Sequence, residues 1–460
     1  MIDFRCEAEK YRKEFITLLN EWVSIPSVLN AATADESMPF GKEIHDALKW
    51  FKALGDKEGF ITKNIDGYAA HIEYGTGDEY VYVFGHCDVV PPGEGWSSEP
   101  FKLLKCEDKL IGRGVVDDKG PLIAAYLALK LLKDNDIELK RKIRIVAGGN
   151  EESGFRCIKH YFSKEPKPTY GFTPDAKFPV INGEKGGAII QISGNVDSGD
   201  IFIEGGTAHN IIPGCVTVKN CSIEGHSHSI KHFIEKEDLG IKIFKDEDKK
   251  EGFKLLGKGG HSAKPEKANN PIEKVLKLLK IILCQSWIED FEALFGGDNR
   301  YGELYSLNLT GRCGVLTIVP TIIKIENGEF NITLSVRYPE NTNMIYIVQK
   351  IKDYFISNGL DNFKVNSSGI KKPSYVSADS PLVKKLYSIY LKHTEDTINK
   401  VRVTSAGTYA AEMENTVVFG CEFPDGSSGN THMAQEYGSE DAFIKAIGIY
   451  AEALYELSML

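Results

Sequence analysis

Seven polar residues stand out, five of them directly after an apolar strand or closing a Gly-flanked turn: His86, Asp88, Asp117, Glu151, Glu152, Asp175 and His432. Their types are those that hold divalent cations or move protons. His86 and Asp88 follow the apolar run 81–84 and Gly85. In a strand, residues two apart project to the same face. A histidine that ligates a metal usually gives its other ring nitrogen to a carboxylate or a carbonyl, so this pair can supply a ligand, its support, or both. Asp117 closes the segment that begins Gly112-Arg113-Gly114, just ahead of a helix. Glu151 and Glu152 follow Gly148-Gly149-Asn150, Asp175 lies in Thr173-Pro174-Asp175, and His432 lies in a Gly/Ser-rich loop. Singly, each has an ordinary explanation: a half-buried histidine, a helix cap, a solvated acidic pair, an exposed loop histidine. The shared placement is what those explanations leave out, and it predicts convergence on one sheet edge. Carboxylates gathered without cations repel, and their pKa values rise. Two histidines with carboxylates suit Zn²⁺, Mn²⁺ or Co²⁺ and do not suit a thiolate site.

The elements that must position these residues are legible. Residues 7–23 carry apolar side chains at helical spacing, and a second helix fits 42–54, stopped by Gly55. Residues 60–65 and 68–74 suggest a strand pair around Asp66-Gly67. The strand 80–84 follows, then a Pro/Gly loop closing on Trp96. Pro121 suits the first turn of the helical segment PLIAAYLALKLLKD, with Asp118 or Lys119 at its cap. The strand KIRIVA spans 142–147, and a helix fits 156–162. Strands alternating with helices, polar residues clustered where strands end, define an α/β domain with a mostly parallel central sheet.

Around Gly183 the character changes. The next stretch reads strand, strand, helix, strand, strand, helix, with Asn327-Gly328 as a hairpin turn and helices at 271–283 and 343–356. This predicts an α+β lid domain at 185–371, inserted into a catalytic domain made of 1–184 and 372–460. After Pro373 the α/β character returns. Ser380 can cap a helix with Pro381 at its first position, and a last helix fits 441–457.

At 460 residues the chain can bury more than one large core. Its formal charge of −10 argues against nucleic acid or an anionic membrane surface as a partner. No window reaches the roughly 18 apolar residues of a membrane span, and the first fifteen residues have no apolar signal core. Nine scattered cysteines without paired spacing suggest free thiols in the cytoplasm.

Together, His86-Cys87-Asp88 with VVPPGEGW, GRGVVDDKGP, GGNEESG, Asp175 in TPDAKFP and His432 in NTHMAQEY resemble the di-zinc metallopeptidase family. That family includes PepV-type dipeptidases, carnosinases, carboxypeptidase G, aminoacylases and succinyl-diaminopimelate desuccinylase. The GxGW loop, the DDKGP variant, FTPD and the large insertion are most similar to the PepV-like branch. The resemblance implies two divalent ions, zinc first and manganese or cobalt as alternatives. Asp117 would bridge them, His86 and Asp175 would complete one site, and Glu152 and His432 the other. Asp88 would support His86, Glu151 would be the general base, and the Asp117–Asp118 peptide would be cis. In the lid, His261 in GKGGHSAKP would polarise the scissile carbonyl. Asn210 and Arg337 would bind the substrate's end, and Gly407-Thr408 would form a backbone clamp for a carboxylate.

The implied activity is a dipeptidase acting on small peptides in peptide catabolism, as a monomer, with a homodimer as the alternative. The alternative activity is an N-acyl-amino-acid deacylase or a carboxypeptidase using the same site. Ala411 departs from the family, which often has a basic residue there. Cys87 takes a position more often aliphatic and is expected to be a small buried hydrophobe. His226, His228 and His232 imitate a metal motif but match no family ligand.

Overall fold

The computed structural model describes residues 2–245, 249–283, 285, 287–288, 299–360 and 363–460. It divides into two compact units. The first comprises Met1–Glu184, Ser374–Thr404 and Thr408–Leu460; the second comprises Lys185–Pro373 and Ser405–Gly407. The junction after 371 follows from pairing. The strand Lys364–Lys371 joins Gly186–Asn195 in one sheet, whereas Ser374–Tyr375 joins Ile181–Glu184 in the other.

In the first unit the central sheet is parallel in its middle and antiparallel at its flanks. Tyr80–His86 lies between Lys142–Gly148 and Tyr170–Thr173, parallel to both, and Thr416–Val418 continues the parallel set. Ala69–Tyr74 adds antiparallel to Lys142–Gly148, and Ile61–Ile65 adds antiparallel to that. On the far side Ile181–Glu184 pairs antiparallel with Thr416–Val418 and parallel with Arg402–Thr404. The hairpin turn at Asp66-Gly67 has φ values of 52° and 74°. Every residue of Tyr80–His86 is buried, as a central parallel strand covered on both faces requires.

The helix Lys119–Asp134 packs against this strand. It is rich in Ala and Leu, the strongest helix formers, and is buried on nearly all sides. Gly85 lets it come close: a Cβ there would lie 2.1 Å from Asp118 Oδ2 and 2.7 Å from Leu122 Cγ. The sequence expectation that Gly55 stops the helix beginning at Lys42 is not met. The helix runs on to Lys57. Gly55 is there for packing instead, since a Cβ would meet Ile72 Cγ1 at 2.8 Å.

The second unit holds an eight-stranded antiparallel sheet. Its order is Gly240–Lys245, Glu251–Leu256, Cys215–Lys219, Phe202–Gly205, Thr317–Glu326, Glu329–Tyr338, Gly186–Asn195 and Lys364–Lys371. Asn327 and Gly328 form the expected hairpin turn, with φ of 52° and 78°. The helices Pro271–Ile282 and Met344–Ser357 also stand where sequence placed them. The helix Ser227–Lys236 and the strand Gly240–Lys245 were not anticipated. Only Ile230 and Phe233 of that helix are buried, and Gly240–Lys245 is an edge strand with no fully buried residue. Their apolar periods are short: Ile230, Phe233 and Ile234 in the helix, Ile241 and Ile243 in the strand. Each unit has its own apolar core. No helix among the described residues is long and apolar enough to cross a membrane.

One buried group in the first unit makes stability pH-dependent. His71 is 2% exposed, with Nδ1 2.9 Å from Tyr161 Oη. Burial, assisted by the charge of Arg144, lowers its pKa to about 4 from 6.5. Between those values the unfolded chain takes a proton that the folded chain refuses. Stability is therefore full above about pH 6.5 and is lost as pH falls towards 4, by up to about 3 kcal/mol from this group. In His71→Gln, urea unfolding at pH 7 and pH 4.5 is expected to differ by about 2 kcal/mol less than in the wild type. An unchanged pH dependence would show that His71 is not responsible.

Candidate metal centre

The site forms at the C-terminal edge of the parallel strands, where open α/β sheets bind ligands. His86 is the last residue of its strand and is fully buried. Its Nδ1 lies 2.8 Å from the backbone carbonyl oxygen of Asp88. A carbonyl can only accept, so Nδ1 carries the hydrogen and Nε2 keeps its lone pair. That lone pair faces Asp117 Oδ1 at 2.9 Å and Asp175 Oδ2 at 3.8 Å. The expected support of His86 by Asp88 is thus made by the backbone. The Asp88 carboxylate sits 3.5 Å from Nδ1 and has other work. Its Oδ1 accepts the N–H of Glu151 at 3.0 Å and its Oδ2 the N–H of Glu152 at 3.1 Å. Asp88 therefore ties the His86 strand end to the turn that carries both glutamates.

Asp117 precedes the helix Lys119–Asp134, and its peptide bond to Asp118 is cis. Its second oxygen, Oδ2, lies 2.8 Å from His432 Nε2. His432 Nε2 is also 3.1 Å from Glu152 Oε1. The loop holding His432 is bent back by left-handed residues at Asn430, His432 and Gln435, with φ of 60°, 64° and 60°. Asp118 is fully buried and accepts the backbone N–H of His86 on Oδ2 at 3.1 Å. Cys87 is fully buried, and burial pushes its thiol pKa up, in line with a packing role.

These contacts test whether cations fit. Each histidine presents a nitrogen to a carboxylate oxygen, and His86 does so with its lone pair. Two acceptors at this separation need a proton or a metal ion between them. In the metal-free protein the proton serves. Donating to the carboxylates of Asp117 and then Glu152 lifts the His432 pKa to about 10. Burial alone would depress His86, but the carboxylates of Asp117 and Asp88 outweigh it and hold its pKa well above the usual value. Asp175 moves the other way: burial, then the charge of Asp117, raises its carboxyl far above the usual range. Ligand atoms of His86, Asp117 and Glu152 all lie within 4.8 Å of one another, as do those of His86, Glu151 and Asp175. The donor set is imidazole and carboxylate throughout, and it fits divalent first-row ions.

The residues assigned to the insertion lie together within the second unit. The Asn210 carbonyl accepts the N–H of Ser262 at 2.9 Å, and Ile211 pairs with His261. His261 Nδ1 accepts the N–H of Ala263 at 3.1 Å, which leaves Nε2 as the protonated donor. Burial, then the charges of Arg337 and Lys264, lowers the His261 pKa and keeps the ring neutral. Arg337 stands opposite Gly187, and a Cβ at Gly187 would come within 2.9 Å of its Nη1. That nitrogen donates to the Val336 carbonyl, and the buried Nε has no partner among the described residues.

Gly407 lies in the second unit, with a Cβ position 3.2 Å from Lys371 Cδ. Thr408, in the first unit, donates both its N–H and its hydroxyl to the buried carboxylate of Glu184. His226 stands ahead of the helix Ser227–Lys236, which carries the exposed His228 and His232, and no metal-competent group among the described residues includes them. The sequence points to no role for Arg113 or Glu436, and for Asp118 only to a helix cap, which its side chain does not make; all three are buried. Only the two glycines flanking Arg113 hinted at an unusual position.

The chain belongs to Peptidase family M20/M25/M40, whose sequence profile matches residues 82–456. It is 33% identical over 478 residues to "Putative dipeptidase YtjP" of Bacillus subtilis, covering 99% of this chain and all of that one. It is 32% identical over 471 residues to the Beta-Ala-Xaa dipeptidase of Lactobacillus delbrueckii subsp. lactis, covering 99% of this chain and 98% of that one. Among solved structures, human carnosine dipeptidase 1 shares the fold with a TM-score of 0.60 at 15% identity, covering 99% of this chain and 98% of that one.

Proposed function

We propose that this protein is a metal-dependent dipeptidase of the cytoplasm, acting as a monomer on short peptides with two divalent ions, zinc in the first instance. The observation that carries the reading is the Asp117 carboxylate, whose two oxygens face two different histidines at 2.9 and 2.8 Å. A carboxylate so placed suits a bridge. His86 and Asp175 would hold one ion with it, and Glu152 and His432 the other. Ions held there would polarise the scissile amide carbonyl and lower the pKa of water towards neutrality.

The chain's own groups do the rest. Glu151, held at its backbone by Asp88, takes the proton from the attacking water and delivers it to the leaving amine nitrogen. The new C–O bond forms first, moving the carbonyl electron pair onto its oxygen; that pair then returns as the C–N bond breaks with the proton delivered to nitrogen, and Glu151 ends the cycle ionised as it began. By resemblance, the N–H of the neutral His261 is assigned to the carbonyl oxygen, where charge develops. A positioned donor of this kind is typically worth about 3–4 kcal/mol. Arg337 is suited to the substrate's free carboxylate because its planar fork can pair both oxygens. Asn210, Gly407 and Thr408 are assigned to the same end of the substrate by resemblance. The names of the relatives, dipeptidases in both cases, favour this reading over a deacylase.

The test is the purified protein, stripped of metal and reloaded with Zn²⁺, Mn²⁺ or Co²⁺. Its kcat/KM on Xaa-Xaa and β-Ala dipeptides is expected to exceed that on tripeptides and N-acyl amino acids at least tenfold. Faster cleavage of tripeptides or acyl amino acids would replace the dipeptidase assignment.

A further inference from the structure

A buried ion pair lies directly under the centre, and none of the roles above uses it. Glu436 is fully buried and Arg113 is 1% exposed; Arg113 Nη1 donates to Glu436 Oε2 at 2.7 Å. The other carboxylate oxygen, Oε1, accepts two backbone N–H groups, Val116 at 2.8 Å and Asp117 at 3.2 Å. The Glu436 carbonyl accepts the N–H of Gly112 at 3.0 Å, and Tyr437 pairs with Ile111. One residue thus grips the backbone of the segment ending in Asp117 at three points. It stands four residues after His432 in the chain.

Arg113 extends the grip to a third segment. Its Nη2 donates to the Pro92 carbonyl at 3.3 Å, and its guanidinium lies 5.5 Å from the Trp96 ring centre. Trp96 Nε1 donates to the same Pro92 carbonyl at 2.8 Å. The Pro/Gly loop before Trp96 is therefore folded onto the pair.

Stability alone does not account for this arrangement. Burying two charges costs several kcal/mol per ion, and apolar residues of similar size often serve stability as well or better. What apolar residues cannot do is accept the N–H groups of Val116 and Asp117. The His432 loop is closed at its base by the pairing of Ser428 and Gly429 with Gly438 and Tyr437, and within it the hydrogen bonds among the described residues are short-range. These are Met433 N–H to the Asn430 carbonyl and Asn430 Nδ2 to the Gln435 carbonyl at 3.0 Å.

We propose that Arg113 and Glu436 are a positioning pair that sets Asp117 and His432 in register, so that the ion held through His432 depends on them. The inference rests on the two-ion reading above. Neither residue touches an ion or substrate; both act through the backbone of Asp117 and through the loop end.

The experiment measures ion binding and melting together, on the full chain, with Zn²⁺ as the probe. Wild type is expected to hold two ions per chain. Glu436→Ala is expected to weaken one ion at least tenfold and to shift the other less, while the metal-free protein still melts cooperatively. Glu436→Gln keeps an oxygen for the two backbone donors and is expected to recover part of the lost affinity. Should Glu436→Ala fail to fold, Arg113→Lys is read in its place. It keeps the charge but not the second donor or the contact with Trp96, and the same selective weakening is expected. A folded variant that holds both ions with wild-type affinity would overturn the positioning role, leaving the two-ion reading intact. A wild type holding fewer than two ions would overturn both.

Discussion

Glu151→Gln is expected to keep both ions and lose turnover by about 10²–10⁴-fold, the range that one positioned proton-transfer group supplies. At the middle of that range the loss is about 4 kcal/mol of barrier. Glutamine retains the shape and leaves the backbone N–H on Asp88 Oδ1 undisturbed. What it removes is a group that can take a proton from water and give it to an amine. The competing possibility is geometric. A Glu151 oxygen lies within 4.8 Å of ligand atoms of His86 and Asp175, so the side chain is close enough to bind an ion itself. Elemental analysis beside kcat separates the two. Two ions with lost turnover supports the base; loss of one ion would make Glu151 a ligand, and the proton would need another carrier.

Asp117→Ala is expected to release both ions together, with each binding constant falling by about 10²-fold or more. Losing one ligand interaction worth about 3 kcal/mol gives that factor. The reason is that, among the described residues, Asp117 is the one carboxylate whose two oxygens reach both histidines. In the metal-free protein the same substitution removes the partner that lifts His432 to about 10, so His432 should titrate closer to an ordinary histidine. Ion binding by calorimetry and the histidine ring titration by NMR would read the two effects separately. If one ion remained at wild-type affinity, Asp117 would belong to a single site and not to a bridge.

Much of the scaffold was readable because the signals were local. The helix Lys119–Asp134 announces itself through a continuous Ala/Leu segment with Pro121 in its first turn. The hairpin at Asn327-Gly328 follows from turn chemistry alone. The helix Ser227–Lys236 was missed because it buries only Ile230 and Phe233. The rest of its surface is polar, and its histidines stand out as an imitation of a metal motif and not as a helical pattern. Gly55 misled for the opposite reason: a residue read as a helix stop is a contact surface for Ile72. Local propensity carries no record of what will pack against a residue from elsewhere in the chain.

The same division holds at the centre. The donor types were fixed by the amino-acid sequence itself: two histidines and a set of carboxylates, most of them placed by a short signal at a strand end or a helix start, and His432 by its loop motif alone. Residues at a strand's C-terminal end lie at the sheet edge wherever the strand goes. Only the tertiary structure decided which oxygen faces which nitrogen. The parallel register of Tyr80–His86 against Lys142–Gly148 brings Asp88 under the two glutamates, so that its carboxylate serves them while its carbonyl serves His86. His432 reaches Glu152 across 280 residues of chain, and Glu436 reaches Asp117 across 319. Hydrogen bonds change strength within a few tenths of an ångström. Pairings at that precision, between segments so distant in sequence, are set by the packing of the whole sheet edge and not by any run of residues along it.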